Sequence, residues 1–294
     1  MSVFSFLALF AGASLLGACQ SAERRGAGAV RDDLGAPLAI GAAPKRIVSL
    51  NPTTTEVLFA IGAGSRVVGR SMYDAFPASA LAVPSLGAAL RPNVEAIIGA
   101  KPDLVVLYAS QDNRAAADRL RQAGIPTAAF RIDSIAQFER DTRLLGRMTN
   151  DSASAARLVD SVRATLDRVR AATQSLARPT VFFHTWDRPL ITIGGGSFLN
   201  ELVDIAGGRN VYADLPGPSG IVTIEDVVRR NPDFVLASPI TAAAIRSDAR
   251  WQAVRAVRAG HVLVFDTTIV GRPSVTLGAA ARSLADLLHP GTVR

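Results

Sequence analysis

The chain has 294 residues, of which 49% are hydrophobic and 19% are charged, and this composition excludes intrinsic disorder over most of its length. The length is sufficient for one large domain or two modest ones. The net charge of +7 does not indicate nucleic-acid binding, because the arginines are spread in ones and twos, without a basic tract or interleaved aromatic residues.

The first predicted element is an export signal. An apolar run, VFSFLALFAGASLLGA, occupies residues 3–18. The run is too short for a comfortable transmembrane span, and it ends in small residues, which is typical of a cleaved signal peptide. We therefore predict a signal peptide at residues 1–18 and a periplasmic or other extracytoplasmic location for the mature protein.

The residues that follow predict a membrane anchor. Leu16-Gly17-Ala18-Cys19 resembles the bacterial lipobox, which implies cleavage before Cys19 and attachment of lipid to its sulfur. Cys19 is the single cysteine of the chain, and the alternative is a free cysteine within a signal peptide. Residues 19–43 are rich in alanine, glycine and charge, which predicts a lipidated tether. Several acyl chains would make that anchoring stable.

The first folded unit is predicted at residues 44–150. RIVSL, at residues 46–50, is typical of a short strand, and NPTTTE follows it. Thr53 and Glu56 fit a capping box that would open the next helix. DLVVLYAS, which starts at Asp103, is a continuous apolar run, as expected for a parallel strand that is buried on both faces.

A long helix is predicted between two folded units. Over residues 152–176, apolar residues recur at helical spacing with arginines and aspartates between them. Pro179 ends the pattern. We therefore assign residues 151–177 to a single helix that joins the two units stiffly.

The second unit, at residues 178–294, repeats the order of elements of the first. TVFFHTW, at residues 180–186, predicts a strand, and ITIGGGS, at residues 191–197, predicts a break after it. Ser197 is predicted to be the N-cap of the next helix. DFVLAS, which starts at Asp233, predicts another buried strand. The alternation predicts an α/β fold of two Rossmann-like lobes bridged by one long α-helix, with a ligand cleft between the lobes.

Two segments of the chain are similar to each other at an offset of 130 residues. VEAIIGAKPDLVV starts at Val94, and IEDVVRRNPDFVL starts at Ile224. Their shared positions include Glu95 and Glu225, Pro102 and Pro232, Asp103 and Asp233, and Val105 and Val235. The repeat places one glutamate at the same point of each lobe.

Taken together, the motifs resemble those of a known family. RIVSLNPTTTEVLFAIGAGSRVVG, KPDLVV, AGIP, PLITIGGGSFLNELVDIAGGRNVYAD and NPDFVLAS are similar to the iron-complex and vitamin B12 class of substrate-binding proteins of ABC importers, over about residues 44–288. The resemblance implies a binding protein, not an enzyme, that captures cobalamin or a related corrinoid and delivers it to a membrane permease. A ferric siderophore or haem is the alternative ligand. We expect a monomer without a cofactor other than the metal-containing ligand.

The resemblance also assigns a role to the repeated glutamates. In this family, one surface glutamate on each lobe pairs with arginines of the permease, and Glu95 and Glu225 match those positions. Two acidic points on separate lobes can steer a basic partner and fix its register. The alternative is that each glutamate only stabilises the first turn of its helix through the helix dipole.

Five residues are predicted to contact the ligand. Tyr73 and Tyr108 match positions that contact the corrin ring in the B12 binder, and Trp186 lies near another such position. Aromatic residues suit these positions because a large flat ligand packs well against ring faces. Arg272 lies in the loop where siderophore binders place arginines for anionic chelates. Asp266 can accept hydrogen bonds from corrin amides. The alternative for each of the three aromatic residues is a partly buried side chain at a loop edge. The alternative for Arg272 is a solvated surface arginine.

Metal-binding and hydrolytic sites are weaker interpretations. His184, His261 and His289 are far apart in sequence, whereas a zinc or manganese site needs several converging ligands, so no metal site is predicted. His184 is a candidate axial ligand for haem, but a lone histidine near a strand end is more often a hydrogen-bonded structural residue. A hydrolytic site of His184, Asp187 and Ser197 lacks the glycine that a nucleophile elbow places two residues after the serine.

Overall fold

The computed structural model describes residues 30–38, 40–266 and 271–292, which form two α/β lobes joined by a long helix. The predicted signal peptide and Cys19 lie outside the described residues. No helix within these ranges is both long and apolar enough to cross a membrane.

The N-terminal lobe is built on a parallel sheet of four strands. The strands are β1 (Ile47–Ser49), β2 (Val67–Arg70), β3 (Leu104–Tyr108) and β4 (Thr127–Phe130), in the spatial order β2-β1-β3-β4. The helices are α1 (Pro52–Ala60), α2 (Val94–Gly99), α3 (Gln111–Gln122) and α4 (Ile135–Thr149), with short 3₁₀ helices at Gly64–Arg66 and Ala78–Ala82. Strands β1, β3 and β4 are almost wholly buried, as expected for a parallel sheet that is covered on both faces.

Helix α1 does not begin with the predicted capping box. Its N-cap is Asn51, whose Oδ1 accepts a hydrogen bond from the Thr53 amide at 3.2 Å, and Pro52 occupies the first turn. The helix therefore starts earlier than the box requires. Glu56 is buried in an ion pair with Arg272 instead of reaching back to the cap, so the prediction of a capping box was wrong.

The predicted long helix is present as α5 (Ser152–Thr173), with 22 residues. It packs against α4 of the N-terminal lobe and against α10 (Leu277–Leu288) of the C-terminal lobe. A Cβ added at Gly146 of α4 would overlap Ala155 of α5, so the close approach of these two helices depends on that glycine. The connection between the lobes is thus a packed helix and not a free linker.

The C-terminal lobe is built on a mixed sheet. The strands are β5 (Thr180–Asp187), β6 (Leu190–Ile193), β7 (Arg209–Asn210), β8 (Ser219–Ile221), β9 (Phe234–Ala237) and β10 (Val262–Val264), in the order β10-β9-β5-β6-β8 with β7 beside the start of β5. The remaining helices are α6 (Phe198–Ile205), α7 (Ile224–Arg230), α8 (Pro239–Ser247) and α9 (Arg255–Arg258), with a 3₁₀ helix at Ala249–Ala253. Strands β5, β7, β9 and β10 pair in parallel, whereas β6 is antiparallel to both of its neighbours, β5 and β8.

The segment predicted as a break after the first strand of this lobe contains strand β6. Leu190, Thr192 and Ile193 are buried and Ile191 is half-buried, so most of this strand is covered by the lobe. The Thr192 hydroxyl donates a hydrogen bond to the Phe183 carbonyl of β5 at 2.7 Å. The break begins only at Gly194, and Ser197 then caps α6 as predicted, since its Oγ accepts a hydrogen bond from the Leu199 amide at 3.2 Å.

Part of the predicted tether is folded onto the N-terminal lobe. Arg31 and Pro37 form an antiparallel bridge. The Asp32 carboxylate is buried, accepts a hydrogen bond from the Ala129 amide at 3.0 Å and pairs with Arg121 at 2.6 Å. Because these partners lie in the lobe, residues 31–37 of the predicted tether pack as part of the N-terminal lobe.

The two repeated segments fold alike. In the first, Lys101 after α2 has a φ of 50°, and in the second, Asn231 after α7 has a φ of 49°. Each is followed by the repeated proline and aspartate. Asp103 accepts hydrogen bonds from the amides of Lys45 and Arg46, at 2.8 Å each. The equivalent aspartate of the second segment accepts one from the Thr180 amide at 2.8 Å. The repeat therefore builds the same helix, turn and strand in each lobe.

One hydrophobic core extends through both lobes. It includes Val57 and Phe130 from the N-terminal lobe, Leu166 from the long helix α5, and Phe183 and Leu284 from the C-terminal lobe. Two smaller clusters lie within single lobes. The continuous core explains how two separate sheets are held at one relative position.

Candidate ligand-binding site

A cavity of about 400 Å³ lies at the carboxyl ends of the strands of the first sheet. Strands β1, β3 and β4 end at Ser49, Tyr108 and Phe130, and the loops beyond them form the walls. The lining residues are Asn51, Pro52, Thr53, Tyr73, Ala88, Ala89, Leu90, Tyr108, Ile132, Asp133 and Arg272. Open α/β sheets bind ligands at this edge, so the position of the cavity is the one expected for a binding site.

Two of the predicted aromatic residues lie in this cavity. Tyr73, in the loop after β2, is 58% exposed and therefore presents its ring to a ligand. Tyr108 ends β3, and its hydroxyl donates a hydrogen bond to Asp133 at 2.8 Å. Burial, with the nearby Asp133 carboxylate, raises the pKa of Tyr108 to about 12, so the phenol stays protonated.

An apolar wall that the sequence did not indicate faces the tyrosines. It consists of residues 88–90, whose loop is held by the buried side chain of Asn113 in α3. The Asn113 amide group donates to the Ala89 carbonyl at 2.9 Å, and its oxygen accepts from the Arg91 amide at 3.1 Å. Arg91 has a φ of 54°, which sets the turn that returns the loop to the lobe. A loop fixed by these hydrogen bonds therefore contributes two alanines and a leucine to the lining of the cavity.

Arg272 reaches the cavity from the C-terminal segment. Its Nη2 donates a hydrogen bond to Glu56 Oε1 at 2.7 Å. Beside this ion pair, the Thr53 hydroxyl donates to the Pro273 carbonyl at 3.1 Å. Burial raises the pKa of the Glu56 carboxyl, although the positive charge of Arg272 opposes that shift. The structure thus places the predicted arginine in the cavity but pairs its charge within the protein.

Trp186 and Asp266 are not among the residues that line this cavity. Trp186 lies in the β5–β6 hairpin of the other lobe, is 63% exposed, and donates from Nε1 to the Arg188 carbonyl at 3.1 Å. Asp266 is exposed and follows β10. Because β5 and β10 both run parallel to β9, the two residues lie at the carboxyl edge of the second sheet. The structure therefore places three of the five predicted contacts in one cavity and two at the matching edge of the other lobe.

His184 lies inside the C-terminal lobe, away from the lining of this cavity. Its ring packs against Phe182 and Trp251, with centroids 6.5 and 5.7 Å away. Neither ring nitrogen has a hydrogen-bond partner among the described residues, and Asp187 is 3.9 Å away. Burial lowers the pKa of His184. Within residues 30–38, 40–266 and 271–292, no group of three His, Cys, Asp or Glu residues is placed to hold a metal ion.

The repeated glutamates lie on the surface, one on each lobe. Glu95 is in the first turn of α2 and pairs with Arg119 at 2.7 Å, and both side chains are exposed. Glu225 is in the first turn of α7 and is exposed beside a surface cavity of about 510 Å³. One exposed aliphatic residue follows three positions after each glutamate, Ile98 on α2 and Val228 on α7. Each lobe therefore exposes one glutamate and one aliphatic side chain at equivalent positions of its helix.

Comparisons with known proteins agree with this geometry. A model of a periplasmic binding protein family matches residues 47–268. The chain is 31% identical over 267 residues to a cobalamin-binding protein of Halobacterium salinarum, covering 85% of this chain and 71% of the relative. It is 29% identical over 260 residues to an uncharacterized ABC transporter substrate-binding lipoprotein of Bacillus subtilis, covering 85% and 82%. The crystal structure of the periplasmic vitamin B12 binding protein of Vibrio cholerae has a TM-score of 0.74 at 24% identity, covering 84% of this chain and 98% of that one.

Proposed function

The chain belongs to the periplasmic binding protein family, and from that premise we propose that it captures cobalamin or a related corrinoid outside the cytoplasm and delivers it to the permease of an ABC importer. The related Bacillus protein is named an ABC transporter substrate-binding lipoprotein, which supports a role in binding for transport. The Halobacterium relative, which is named a cobalamin-binding protein, supports the choice of ligand.

The observation that carries this proposal is the aromatic cavity at the carboxyl edge of the first sheet. Tyr73 and Tyr108 supply ring faces and residues 88–90 an apolar wall, which together suit the face of a flat macrocycle. The volume of about 400 Å³ lies at the small end of ligand cavities, which hold about 300–1,000 Å³. A corrinoid would therefore be held by one face or edge in the first lobe and covered by the second.

The second lobe would supply the remaining contacts. Trp186 and Asp266 lie at the carboxyl edge of the second sheet, where a ligand between two α/β lobes would meet them. We assign Trp186 a stacking contact and Asp266 a hydrogen bond to a side-chain amide of the corrin. A small hinge closure would bring these residues to the bound ligand.

The partner of the loaded protein would be a membrane permease. We assign Glu95 and Glu225 to the docking surface, because one exposed carboxylate on each lobe can fix the register of a basic partner. We assign Cys19 to lipid attachment, which would keep the protein near that partner, and the related Bacillus protein is named a lipoprotein. Uptake measurements on charge-reversed variants, set out in the Discussion, test the docking surface.

A fluorescence titration tests the ligand. We expect cyanocobalamin to quench the tryptophan emission of the chain from residue 20 onward, saturating at one equivalent after inner-filter correction. Trp186 is exposed and is the tryptophan assigned to the ligand contact, so Trp186→Phe, which keeps an aromatic ring for stacking, should reduce the quenching, and equilibrium dialysis measures how much of the affinity it retains.

A cavity variant and a matched surface variant complete the test. Tyr73→Ala should weaken binding about tenfold, because it removes a ring contact and its buried area. Ile240→Ala serves as the control, since that side chain is exposed on α8 and does not line the cavity. No saturable binding of cyanocobalamin, with binding of haem or a ferric siderophore instead, would overturn the corrinoid assignment.

A further inference from the structure

The charged residues at the cavity are already paired within the protein. Among its lining residues, Arg272 and Asp133 are the ones that carry full charge. Asp133 accepts the hydrogen bond of the Tyr108 hydroxyl, and Arg272 donates to Glu56. Neither side chain therefore stands as an isolated charge facing the ligand space.

Glu56 is fixed behind the wall from which Arg272 projects. Its side chain is 3% exposed and belongs to helix α1, so it cannot swing away from the guanidinium without breaking local packing. Its Oε2 has no hydrogen-bond partner among the described residues, and the buried Nε of Arg272 likewise has none. The pair is thus only partly satisfied by hydrogen bonds, and charge attraction holds it together.

A second buried carboxylate acts on the same guanidinium. Asp74 accepts hydrogen bonds from the Ser71 amide at 2.9 Å and from the Thr55 hydroxyl at 3.2 Å, and the charge of Arg272 acts on it favourably. On the rim, the guanidinium of Arg131 is directed to the Ala109 carbonyl, at 3.3 and 3.4 Å. Around Arg272 itself, Glu56 is therefore the carboxylate within ion-pair distance among the described residues, and Asp74 adds a longer-range attraction.

We propose that Glu56 is a positioning residue that sets the charge selectivity of the cavity, because it holds Arg272 and so makes the cavity discriminate against anionic ligands. A free guanidinium would bind a carboxylate or catecholate ligand in a two-pronged hydrogen bond. With Glu56 present, the charge of Arg272 is already balanced by a buried carboxylate, and an entering anion must compete with that fixed internal partner in a partly desolvated site. The inference rests on the proposed function only in taking this cavity as the ligand site.

Two corrinoids that differ in side-chain charge test the proposal. Dicyanocobinamide carries amide side chains, whereas dicyanocobyrinate has the same ring and the same two axial cyanides but carries carboxylates. In the wild type we expect cobyrinate to bind at least about tenfold more weakly. In Glu56→Gln, which keeps the shape of the side chain, this ratio should shrink about tenfold while the affinity for cobinamide changes less than about threefold.

Glu139→Gln is the matched control. Glu139 also pairs with an arginine, Arg163, but it lies on α4 outside the cavity, so the variant makes the same change in net charge without touching Arg272. A merely structural role of Glu56 would weaken both corrinoids together and leave their ratio unchanged, which contradicts the proposal. Thermal melts show whether Glu56→Gln is folded. The wild-type ratio needs no variant, and equal affinities for the two corrinoids overturn the proposal by themselves.

The experiment can reject the corrinoid as ligand without rejecting the proposed role of Glu56. If neither corrinoid binds the wild type or the variant, the proposed ligand is wrong. The same comparison made with an anionic ferric tris-catecholate then decides the role of Glu56. Tighter binding by Glu56→Gln than by the wild type and the Glu139→Gln control supports it, and equal binding by all three overturns it.

Discussion

At the scale of single residues, the burial of His184 predicts how stability depends on pH. The ring packs against two aromatic side chains, and burial lowers its pKa below the usual 6.5, although Asp187 opposes the shift. Above pH 6.5 the imidazole is neutral in both the folded and the unfolded chain. As the pH falls below 6.5, the unfolded chain takes up a proton first, so the free energy of unfolding decreases until the lower folded pKa is reached.

We therefore expect His184→Phe, which keeps an aromatic ring in the cluster, to lose less unfolding free energy than the wild type between about pH 7.5 and about pH 5. Urea unfolding at both pH values measures the difference. His261→Gln is the control, because that ring is exposed. An identical loss in the wild type and in His184→Phe would show that His184 does not contribute to the acid sensitivity.

At the scale of elements, the repeated aspartates predict unequal costs for the same substitution. Asp103 binds amides in an exposed stretch before β1. Asp233 binds the partly buried amide and hydroxyl of Thr180 at the start of β5, and also pairs with Arg255 at 3.0 Å. Water can replace a lost acceptor at an exposed amide but less well at a partly buried one.

Asp233→Ala should therefore cost about 1–3 kcal/mol of unfolding free energy, and Asp103→Ala about 0.5–1 kcal/mol. Denaturant unfolding of each variant measures these costs. Asp118→Ala, in an exposed pair with Arg121, should cost less than about 0.5 kcal/mol and serves as the control. Equal costs at positions 103 and 233 would mean that the two lobes do not use the repeated aspartate differently.

At the scale of the whole molecule, the proposed docking surface predicts unequal contributions from Glu95 and Glu225 to permease binding. Glu95 already pairs with Arg119, whereas the described residues place no lysine or arginine within ion-pair distance of Glu225. A basic partner must displace Arg119 at the first lobe but not at the second. The second lobe should therefore contribute more to binding of the permease.

We expect Glu225→Arg to reduce cobalamin uptake more than Glu95→Arg, and the double variant to abolish it while the affinity for ligand is unchanged. Uptake by cells that carry the cognate permease, together with the titration of the purified variants, measures both quantities. Asp160→Arg on the exposed face of α5 is the control. Normal uptake by the double variant would remove Glu95 and Glu225 from the docking surface.

Most of the architecture could be predicted because its signals are local. The helical spacing of residues 152–176 and the unbroken apolar run of β3 arise from neighbouring residues, and both elements are present. The predictions of the capping box and of the break after β5 failed because other partners were available, namely a neighbouring cap residue, a distant charge and an adjacent strand. The Asn51 cap and the ion pair of Glu56 replaced the capping box, and pairing with β5 made a strand of residues 190–193.

The sequence by itself determined the two-lobe α/β fold, the long connecting helix and the placement of Tyr73 and Tyr108 at strand ends, because hydrophobic periodicity is a property of short stretches. It also determined the family, because the order of the motifs along the chain can be read without the fold. Only the tertiary structure decided which groups meet. Arg272 and Glu56 are 216 residues apart, and Asp32 and Arg121 are 89 residues apart. Such contacts depend on how the elements pack and on which buried charges must find partners, and neither is written in local sequence.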